Sequence, residues 1–235
     1  MKKPSPSFCV LIPAFREESR IAAVVREARD YAESVVVIDD GSPDATAQVA
    51  AAAGAVVVSH VRNLGKGAAL QTGFQYAREK GFELAITMDA DGQHAPSDIP
   101  AFLAAFERTH CPVLVGNRMG NTADMPWIRR CTNRFMSKLL SRVMGQYVPD
   151  SQCGFRLYQR EAFPAPVELP SSARYAAESE VLLRLALQGR KIGAVTIQTI
   201  YGDERSKVNP ITDTLRFFRM LRRFKKLKKK LESSL

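Results

Sequence analysis

The segment "LAITMDADGQH", from Leu84 to His94, ends an apolar run with two aspartates that are one residue apart. Like charges at this spacing repel each other, so the pair needs a physical reason. A turn is one possible reason, because Asp and Gly are favoured turn residues. A divalent metal site is another, because Mg²⁺ and Mn²⁺ prefer carboxylate oxygens and often bind substrate phosphates as well. The spacing of Asp89 and Asp91 alone does not choose between the two.

Short apolar runs rich in Val and Ile alternate with segments of helical spacing in the first half of the chain. Runs that are apolar throughout indicate strands buried on both faces, as in a parallel sheet covered by helices. The sequence therefore predicts an α/β fold with a Rossmann-like, mostly parallel sheet flanked by helices. The five predicted strands are Phe8–Ile12, Val35–Ile38, Ala55–Ser59, Leu84–Met88 and Val113–Gly116.

Polar segments follow each of these predicted strands. In open α/β sheets ligands bind beyond the carboxyl ends of the strands, so the segments are candidates for one binding site. Acids with flanking cations such as Lys66 and Arg118 suit a nucleoside diphosphate whose charge a metal neutralises. This convergence favours the metal interpretation of Asp89 and Asp91. The segments are Pro13–Glu18, Asp39–Asp44, Arg62–Gly67, Asp89–His94 and Gly116–Met119.

The second half of the chain shows a looser alternation of elements. It contains a predicted helix at Ile128–Met144, a second at Tyr175–Gly189 and a strand at Ile192–Ile200. We interpret residues 1–119 as a nucleotide-sugar half and residues 120–210 as an acceptor half of one domain. No long linker precedes Ile211, where we expect the C-terminal appendage of residues 211–235 to begin.

The net charge of +10 is concentrated in this appendage. Between Thr214 and Leu231 there are nine basic residues and no acid, so the rest of the chain is close to neutral. Leucines and phenylalanines recur there at helical spacings, which predicts a basic amphipathic helix in a membrane interface. Each cation near an anionic leaflet contributes about 1 kcal/mol before screening, so residues 214–231 are expected to bind an anionic membrane surface. A partner-protein helix and a nucleic-acid tail are the alternatives, and we expect no nucleic-acid partner.

Cysteine usage and hydropathy predict a cytoplasmic protein, which the basic appendage would attach peripherally to a membrane. The four cysteines are widely spaced without a C-x-x-C pair, which is typical of a reducing compartment. The longest run without a polar residue, Val49–Val58, is far shorter than the ~20 residues that span a bilayer. The N-terminal "MKKPSPSF" is not followed by an apolar signal core.

Six ordered motifs over nearly the first 160 residues resemble the family 2 glycosyltransferases of the GT-A fold, in particular dolichyl- and polyprenyl-phosphate sugar synthases. The motifs are "VLIPAFREE", "VVVIDDGSPDAT", "RNLGKGAALQTG", "MDADGQH", "VGNRM" and "DSQCGFRLY". The resemblance implies an inverting transfer of a sugar from a nucleotide-diphosphate sugar to a polyprenyl phosphate, such as dolichyl or undecaprenyl phosphate. It also implies that Mg²⁺ or Mn²⁺ is the cofactor.

Together with the strand-end pattern, the resemblance implies roles for individual residues. The nucleotide sugar would contact Pro13, Phe15, Glu17, Asp39, Asp40, Lys66, Asp89, Ala90 and Asp91. The metal would be bound by Asp89, Asp91 and Gln93, with Asp91 as the central ligand. The acceptor phosphate would contact Arg118, Arg130, Asn133, Arg205 and Lys207. Asp91, Arg118 and Arg130 would be the catalytic residues. Arg16 stands where many relatives have Asn, and Lys66 is at a variable position, so the base and the sugar stay open.

Three alternatives differ from this interpretation. A hydroxyl acceptor, unlike an anionic lipid phosphate, would need a base, for which Glu178, Glu180 and Asp150 are the candidates. A non-catalytic module could use the basic appendage alone. A dinucleotide site is disfavoured, because "GKGAAL" places Leu70 where a small residue is required and follows the third strand. The histidines are too scattered to form a metal cluster, and we expect His94 to position the aspartate loop.

Overall fold

The computed structural model describes residues 6–120, 125, 127–164, 176–198, 200 and 217–226. The strands are β1 (Phe8–Ala14), β2 (Val35–Asp39), β3 (Val56–Ser59), β4 (Leu84–Thr87), β5 (Val113–Asn117), β6 (Arg156–Gln159) and β7 (Ile192–Thr196). The longer helices are α1 (Ile21–Arg29), α2 (Thr46–Ala52), α3 (Lys66–Glu79), α4 (Ile99–Thr109), α5 (Trp127–Met144) and α6 (Ala176–Leu187). A further helix, α7, spans residues 217–226.

The seven described strands form one sheet in the order β3-β2-β1-β4-β6-β5-β7. All neighbouring pairs are parallel except β4 with β6 and β5 with β6. The carboxyl ends of β1 to β5 therefore meet at the same edge of the sheet, because β6 alone runs in the opposite direction. The mostly parallel α/β fold predicted from the sequence is confirmed.

Strand β6 is the element that the sequence analysis did not predict. Its four residues, "RLYQ", begin with Arg156 and show no run of apolar residues. It nevertheless lies inside the sheet, with Tyr158 opposite Ala85 and Arg156 opposite Thr87. The second half of the chain thus contributes β6 and β7 to the same sheet that the first half begins.

The helices cover the central strands, whose residues are almost completely buried. All residues of β2 and β4 are buried, as expected for strands that are packed on both faces. Helix α3 approaches the sheet closely at Gly73, where a Cβ atom would lie 2.9 Å from Cδ1 of Ile38. This contact fixes α3 on β1 and β2 and directs its first turn toward the carboxyl edge.

The apolar face of α7 packs against the protein. Phe217, Met220, Leu221 and Phe224 are buried and belong to the hydrophobic core. The guanidinium group of Arg184 lies 5.8 Å from the ring centre of Phe224. The amphipathic pattern is present in these ten residues and its apolar face lies against the protein, whereas contact of residues 214–231 with a membrane stays a prediction. The same period of apolar residues serves either environment, which is why the sequence could not distinguish them.

The outer face of α7 carries cations. Its exposed basic residues are Arg219, Arg222, Arg223, Lys225 and Lys226. The remaining predicted anchor positions, including Leu215, Leu227 and Leu231, lie outside the described residues. Among the described helices, none is long and apolar enough to span a membrane.

Candidate active site

The loops after β1 and β2 are joined by hydrogen bonds. The backbone N–H of Arg16, which has a φ of 58°, donates to Oγ of Ser42 at 3.0 Å. The N–H of Glu17 donates to Oγ1 of Thr46 at 2.9 Å, and Asp39 accepts the N–H of Ser42 at 3.3 Å. The loops thus form one rim of the carboxyl edge. Its predicted nucleoside contacts are Pro13, Phe15, Glu17 and Asp39.

Asp40 fixes the beginning of α3. Its two carboxylate oxygens accept the backbone N–H groups of Leu64 at 2.9 Å and Gly65 at 2.7 Å. Its Oδ1 also lies 2.7 Å from Nδ1 of His60, whose Nε2 is 2.9 Å from Oγ1 of Thr72. Asp40 therefore has a positioning role that the sequence analysis did not assign. Its contact with the nucleotide sugar stays a prediction.

Lys66, the first residue of α3, bridges two carboxylates from distant parts of the chain. Its Nζ lies 2.5 Å from Oδ1 of Asp89 and 2.5 Å from Oε1 of Glu178. Asp89 follows β4, whereas Glu178 is in the first turn of α6. The structure thus assigns Glu178 to the aspartate site, where the sequence offered it only as a possible base or a lining residue.

The ionisation of this cluster follows from its burial and charges. Burial by itself would lower the pKa of Lys66, but attraction by Asp89 and Glu178 outweighs it and raises that pKa. Burial by itself would raise the pKa of Asp89, but the positive charge of Lys66, its hydrogen bond to Asp89 and the charge of Arg118 lower that pKa to about 2. Asp89 is therefore an anion at any physiological pH, as a metal ligand must be.

The loop that contains both aspartates is held by its own residues. Asp91 accepts the backbone N–H of Gln93 at 3.0 Å, while Gly92 adopts a φ of 76° that suits a glycine. Nδ1 of His94 accepts the N–H of Asp89 at 3.1 Å. Burial lowers the pKa of His94, so the ring is neutral and carries its proton on Nε2. The expectation that His94 positions this loop is confirmed.

Gly154 brings backbone against the carboxylates. A Cβ atom at this residue would lie 2.9 Å from both carboxylate oxygens of Asp89 and 3.0 Å from Oε1 of Glu178. The Gly154 carbonyl accepts the hydroxyl of Thr87 at 2.8 Å, which fixes the backbone there. No side chain can occupy this position without displacing the acids. Gly154 is in the quoted "DSQCGFRLY" motif. Its contact with the carboxylates could not be predicted from that motif, because it depends on the pairing of β6 with β4.

Arg156 organises the same region from inside the protein. Its side chain is 1% exposed and donates to the carbonyls of Cys153 at 2.7 Å, Ser151 at 3.0 Å and Glu178 at 2.8 Å. One guanidinium nitrogen also lies 3.9 Å from the Glu178 carboxylate. Arg156 therefore joins the loop before β6 to the start of α6. No pattern in the sequence pointed to a role for this residue.

Arg118 and Asp150 form a buried ion pair. Nε of Arg118 donates to Oδ2 of Asp150 at 2.7 Å, and a terminal nitrogen donates to Oδ1 at 3.0 Å. The backbone N–H of Arg118 donates to the same carboxylate at 3.3 Å. This bidentate geometry fixes Arg118 at the end of β5. Its predicted contact with phosphate stays a prediction beside this structural role.

The remaining predicted residues have different positions. Ala90 is buried in the aspartate loop, and Gln93 is half-buried there. Arg130 and Asn133 are half-buried in the first turns of α5. Glu180 pairs with Arg184 at 2.7 Å on α6. Arg205 and Lys207 lie outside the described residues.

The acidic residues fit a hard divalent cation that is shared with a substrate. Mg²⁺ is commonly bound by one or two carboxylates together with substrate phosphates. Asp89 and Asp91 provide two carboxylates at one strand end. In the described part of the chain, no three acidic, histidine or cysteine side chains are grouped to hold an ion by themselves. A metal bound by these two carboxylates would take further ligands from water or substrate phosphates.

Comparison with known proteins now decides the family. Residues 9–165, which include every motif around this site, match the model for glycosyl transferase family 2. The chain belongs to glycosyl transferase family 2. One relative of this glycosyltransferase is the UDP-N-acetylglucosamine–dolichyl-phosphate N-acetylglucosaminyltransferase of Methanococcus voltae, 31% identical over 82% of this chain and 85% of the relative. Another is the polyprenol monophosphomannose synthase of Mycolicibacterium smegmatis, 29% identical over 68% of this chain and 64% of the relative.

Solved structures confirm the GT-A fold of this glycosyltransferase. Glucosyl-3-phosphoglycerate synthase from Mycobacterium tuberculosis, in complex with Mn²⁺, UDP and phosphoglyceric acid, superposes with a TM-score of 0.70 at 20% identity. The match covers 94% of this chain and 78% of that chain. The enzyme class and the fold predicted from the sequence are both confirmed.

Gly154→Ala is expected to reduce sugar transfer by about 10²-fold, because a 1 Å displacement of positioned groups can cost that much. The added Cβ would push the carboxylates of Asp89 and Glu178 apart. Steady-state rates with saturating Mn²⁺ measure the loss. Gly81→Ala is the control, because a Cβ there has nothing within 4 Å, although its φ of 81° also strains an alanine. Equal rates in the two variants would contradict the role of Gly154.

Proposed function

We propose that this glycosyltransferase transfers a sugar, with inversion, from a nucleoside-diphosphate donor to a polyprenyl phosphate at the cytoplasmic face of a membrane. The use of a nucleoside-diphosphate donor is supported by the position of Asp89 and Asp91. They lie at the edge of the sheet from which the loops after β1 and β2 also extend. The names of the two relatives support the acceptor half.

Several residues of this chain would act on the donor. Asp89 and Asp91 would hold Mg²⁺ or Mn²⁺, with Gln93 at the same loop. When bound, the metal would neutralise the diphosphate and stabilise it as a leaving group. Lys66 holds Asp89 and Glu178 together and would add a positive charge next to the bound diphosphate. The joined loops after β1 and β2 would orient the nucleoside.

The carboxylates favour an acceptor that is already an anion. Each of the three carboxylates that the sequence offered as a base for a hydroxyl acceptor is paired with a cation in the structure. The pairs are Glu178 with Lys66, Glu180 with Arg184 and Asp150 with Arg118. Both oxygens of Asp150 are engaged by its arginine. A lipid phosphate needs no proton removed before it attacks the anomeric carbon, so the enzyme has only to position the two substrates.

Matched acceptors test this proposal. The full chain is incubated with Mn²⁺, a panel of nucleoside-diphosphate sugars, and either a short polyprenyl phosphate or the polyprenol of the same length. Release of the nucleoside diphosphate is measured in both cases. We expect acceptor-dependent release with the phosphate and only background release with the alcohol. Equal or faster release with the alcohol would instead favour the hydroxyl-acceptor alternative.

A further inference from the structure

The first half of α5 presents a continuous apolar face to solvent. Trp127, Ile128 and Phe135 are 68%, 62% and 59% exposed, and Cys131 is exposed between them. Residues at these spacings share one side of a helix. Side chains of this size are normally covered, and an exposed patch of them marks an interaction site.

The opposite face of α5 anchors the helix in the protein. Ser137, Leu140 and Ser141 are buried there, and Oγ of Ser141 both accepts the N–H of Val148 at 3.0 Å and lies 3.2 Å from its carbonyl. The hydroxyl of Ser137 accepts the N–H of Ser151 at 2.9 Å. The helix is thus fixed against the loop that contains Asp150, and its apolar outer face is a stable surface feature.

The second half of the same outer face is basic. Arg134, Lys138 and Arg142 are exposed at intervals of four residues, which places them in one row. The 18 residues of α5 include no acid. These three cations also line a groove of about 770 Å³ together with Met119 and Tyr147. The groove reaches Asn117, the last residue of β5, which directly precedes Arg118.

We infer that the outer face of α5 is a membrane-docking surface for anionic lipid. The apolar side chains Trp127, Ile128 and Phe135 enter the bilayer interface, and the row of cations contacts lipid phosphates. An exposed apolar patch that continues into cations without any acid is complementary to such a surface. Helix α7 lacks this combination, because four of its apolar side chains are buried in the protein. Its cations can attract the membrane, whereas α5 can also insert.

This surface would set the orientation of the enzyme on the membrane. Docking through α5 turns the groove next to Arg118 toward the bilayer, from which a lipid phosphate would enter. Only the entry of a lipid phosphate through this groove rests on the proposed function. The surface itself stands on the exposed residues and charges of α5, and it can be tested without any sugar transfer.

Trp127 makes the test specific, because it is the chain's one tryptophan. The full chain is mixed with vesicles of equal parts phosphatidylglycerol and phosphatidylcholine, and tryptophan emission is recorded. We expect a shift of the emission maximum to shorter wavelength and quenching by brominated phosphatidylcholine. Absence of vesicle binding, or binding without a change in Trp127 emission, would overturn the inference. Tighter binding to RNA than to vesicles would also overturn it.

Variants separate the apolar contribution from the charges. Ile128→Ser with Phe135→Ser keeps Trp127 and is expected to weaken vesicle binding at least about tenfold. The control, Tyr31→Ser with Val56→Ser, removes exposed apolar groups from elsewhere and should bind as the wild type does. Equal binding by both double variants would contradict the assignment.

Activity in detergent distinguishes a failure of this inference from a failure of the proposed function. The Ile128→Ser, Phe135→Ser variant should retain wild-type transfer to a short polyprenyl phosphate in detergent micelles, because its substitutions lie on the outer face. Lost vesicle binding with retained transfer supports the docking surface. Trp127-dependent docking by a wild-type enzyme that transfers no sugar to the phosphate would leave the surface standing and refute the proposed acceptor.

Discussion

Asp91→Asn is expected to reduce sugar transfer at least about 10³-fold while the fold remains intact. The proposed reason is that the Asp91 carboxylate is the central ligand of the metal, whose stabilisation of a leaving diphosphate is worth several kcal/mol. The asparagine oxygen can still accept the N–H of Gln93, so the loop keeps its shape. Rates with saturating Mn²⁺ and circular dichroism of the purified variant test the two parts of this expectation.

A matched acid outside the site controls for the substitution. Asp30→Asn makes the same chemical change at an exposed residue at the end of α1, and its rate should equal that of the wild type. Binding of the nucleoside diphosphate should become independent of Mn²⁺ in Asp91→Asn only. Wild-type transfer in this variant would remove Asp91 from the metal site.

Arg156→Met is expected to lower the free energy of unfolding by about 3–5 kcal/mol, the usual cost of breaking a buried charged network. The guanidinium group supplies donors to the carbonyls of Ser151, Cys153 and Glu178, which would be left without them. Methionine fills part of the space but donates nothing. Urea unfolding followed by circular dichroism measures the change.

Arg160→Met provides the comparison for this second variant. Arg160 lies four residues further along and is exposed, with one hydrogen bond to the carbonyl of Arg78 at 3.2 Å. Its replacement should change the free energy of unfolding by less than about 0.5 kcal/mol, as for most surface positions. Similar losses in the two variants would show that the Arg156 network does not support the site.

The sequence predicted the parallel part of the sheet because its strands are apolar on both faces. It did not predict β6, since four residues that begin with arginine have no strand pattern. That strand can be buried because Arg156 finds carbonyl acceptors in the adjoining loop and in the first turn of α6. These hydrogen bonds offset the burial of an arginine, and they depend on tertiary contacts that the periodicity of apolar residues cannot predict.

In the site, too, some features follow from the local sequence and others only from tertiary contacts. The strand-end positions of Asp89 and Asp91 follow from the local pattern and from the parallel topology. The contact of Glu178 with Lys66 joins residues that are more than 100 positions apart, and it exists because β6 brings Gly154 and the start of α6 to β4. For α7, the amphipathic pattern gave the helix but not the environment of its apolar face.

The central claim is that a sugar is transferred to a lipid phosphate. It is tested most directly by mass spectrometry of the lipid after incubation of the full chain with Mn²⁺, a short polyprenyl phosphate and a panel of nucleoside-diphosphate sugars. The account predicts a lipid product heavier by one glycosyl residue, with its phosphate retained, and no product with Asp91→Asn. An unchanged lipid mass with every donor, or the same product from Asp91→Asn, would contradict it.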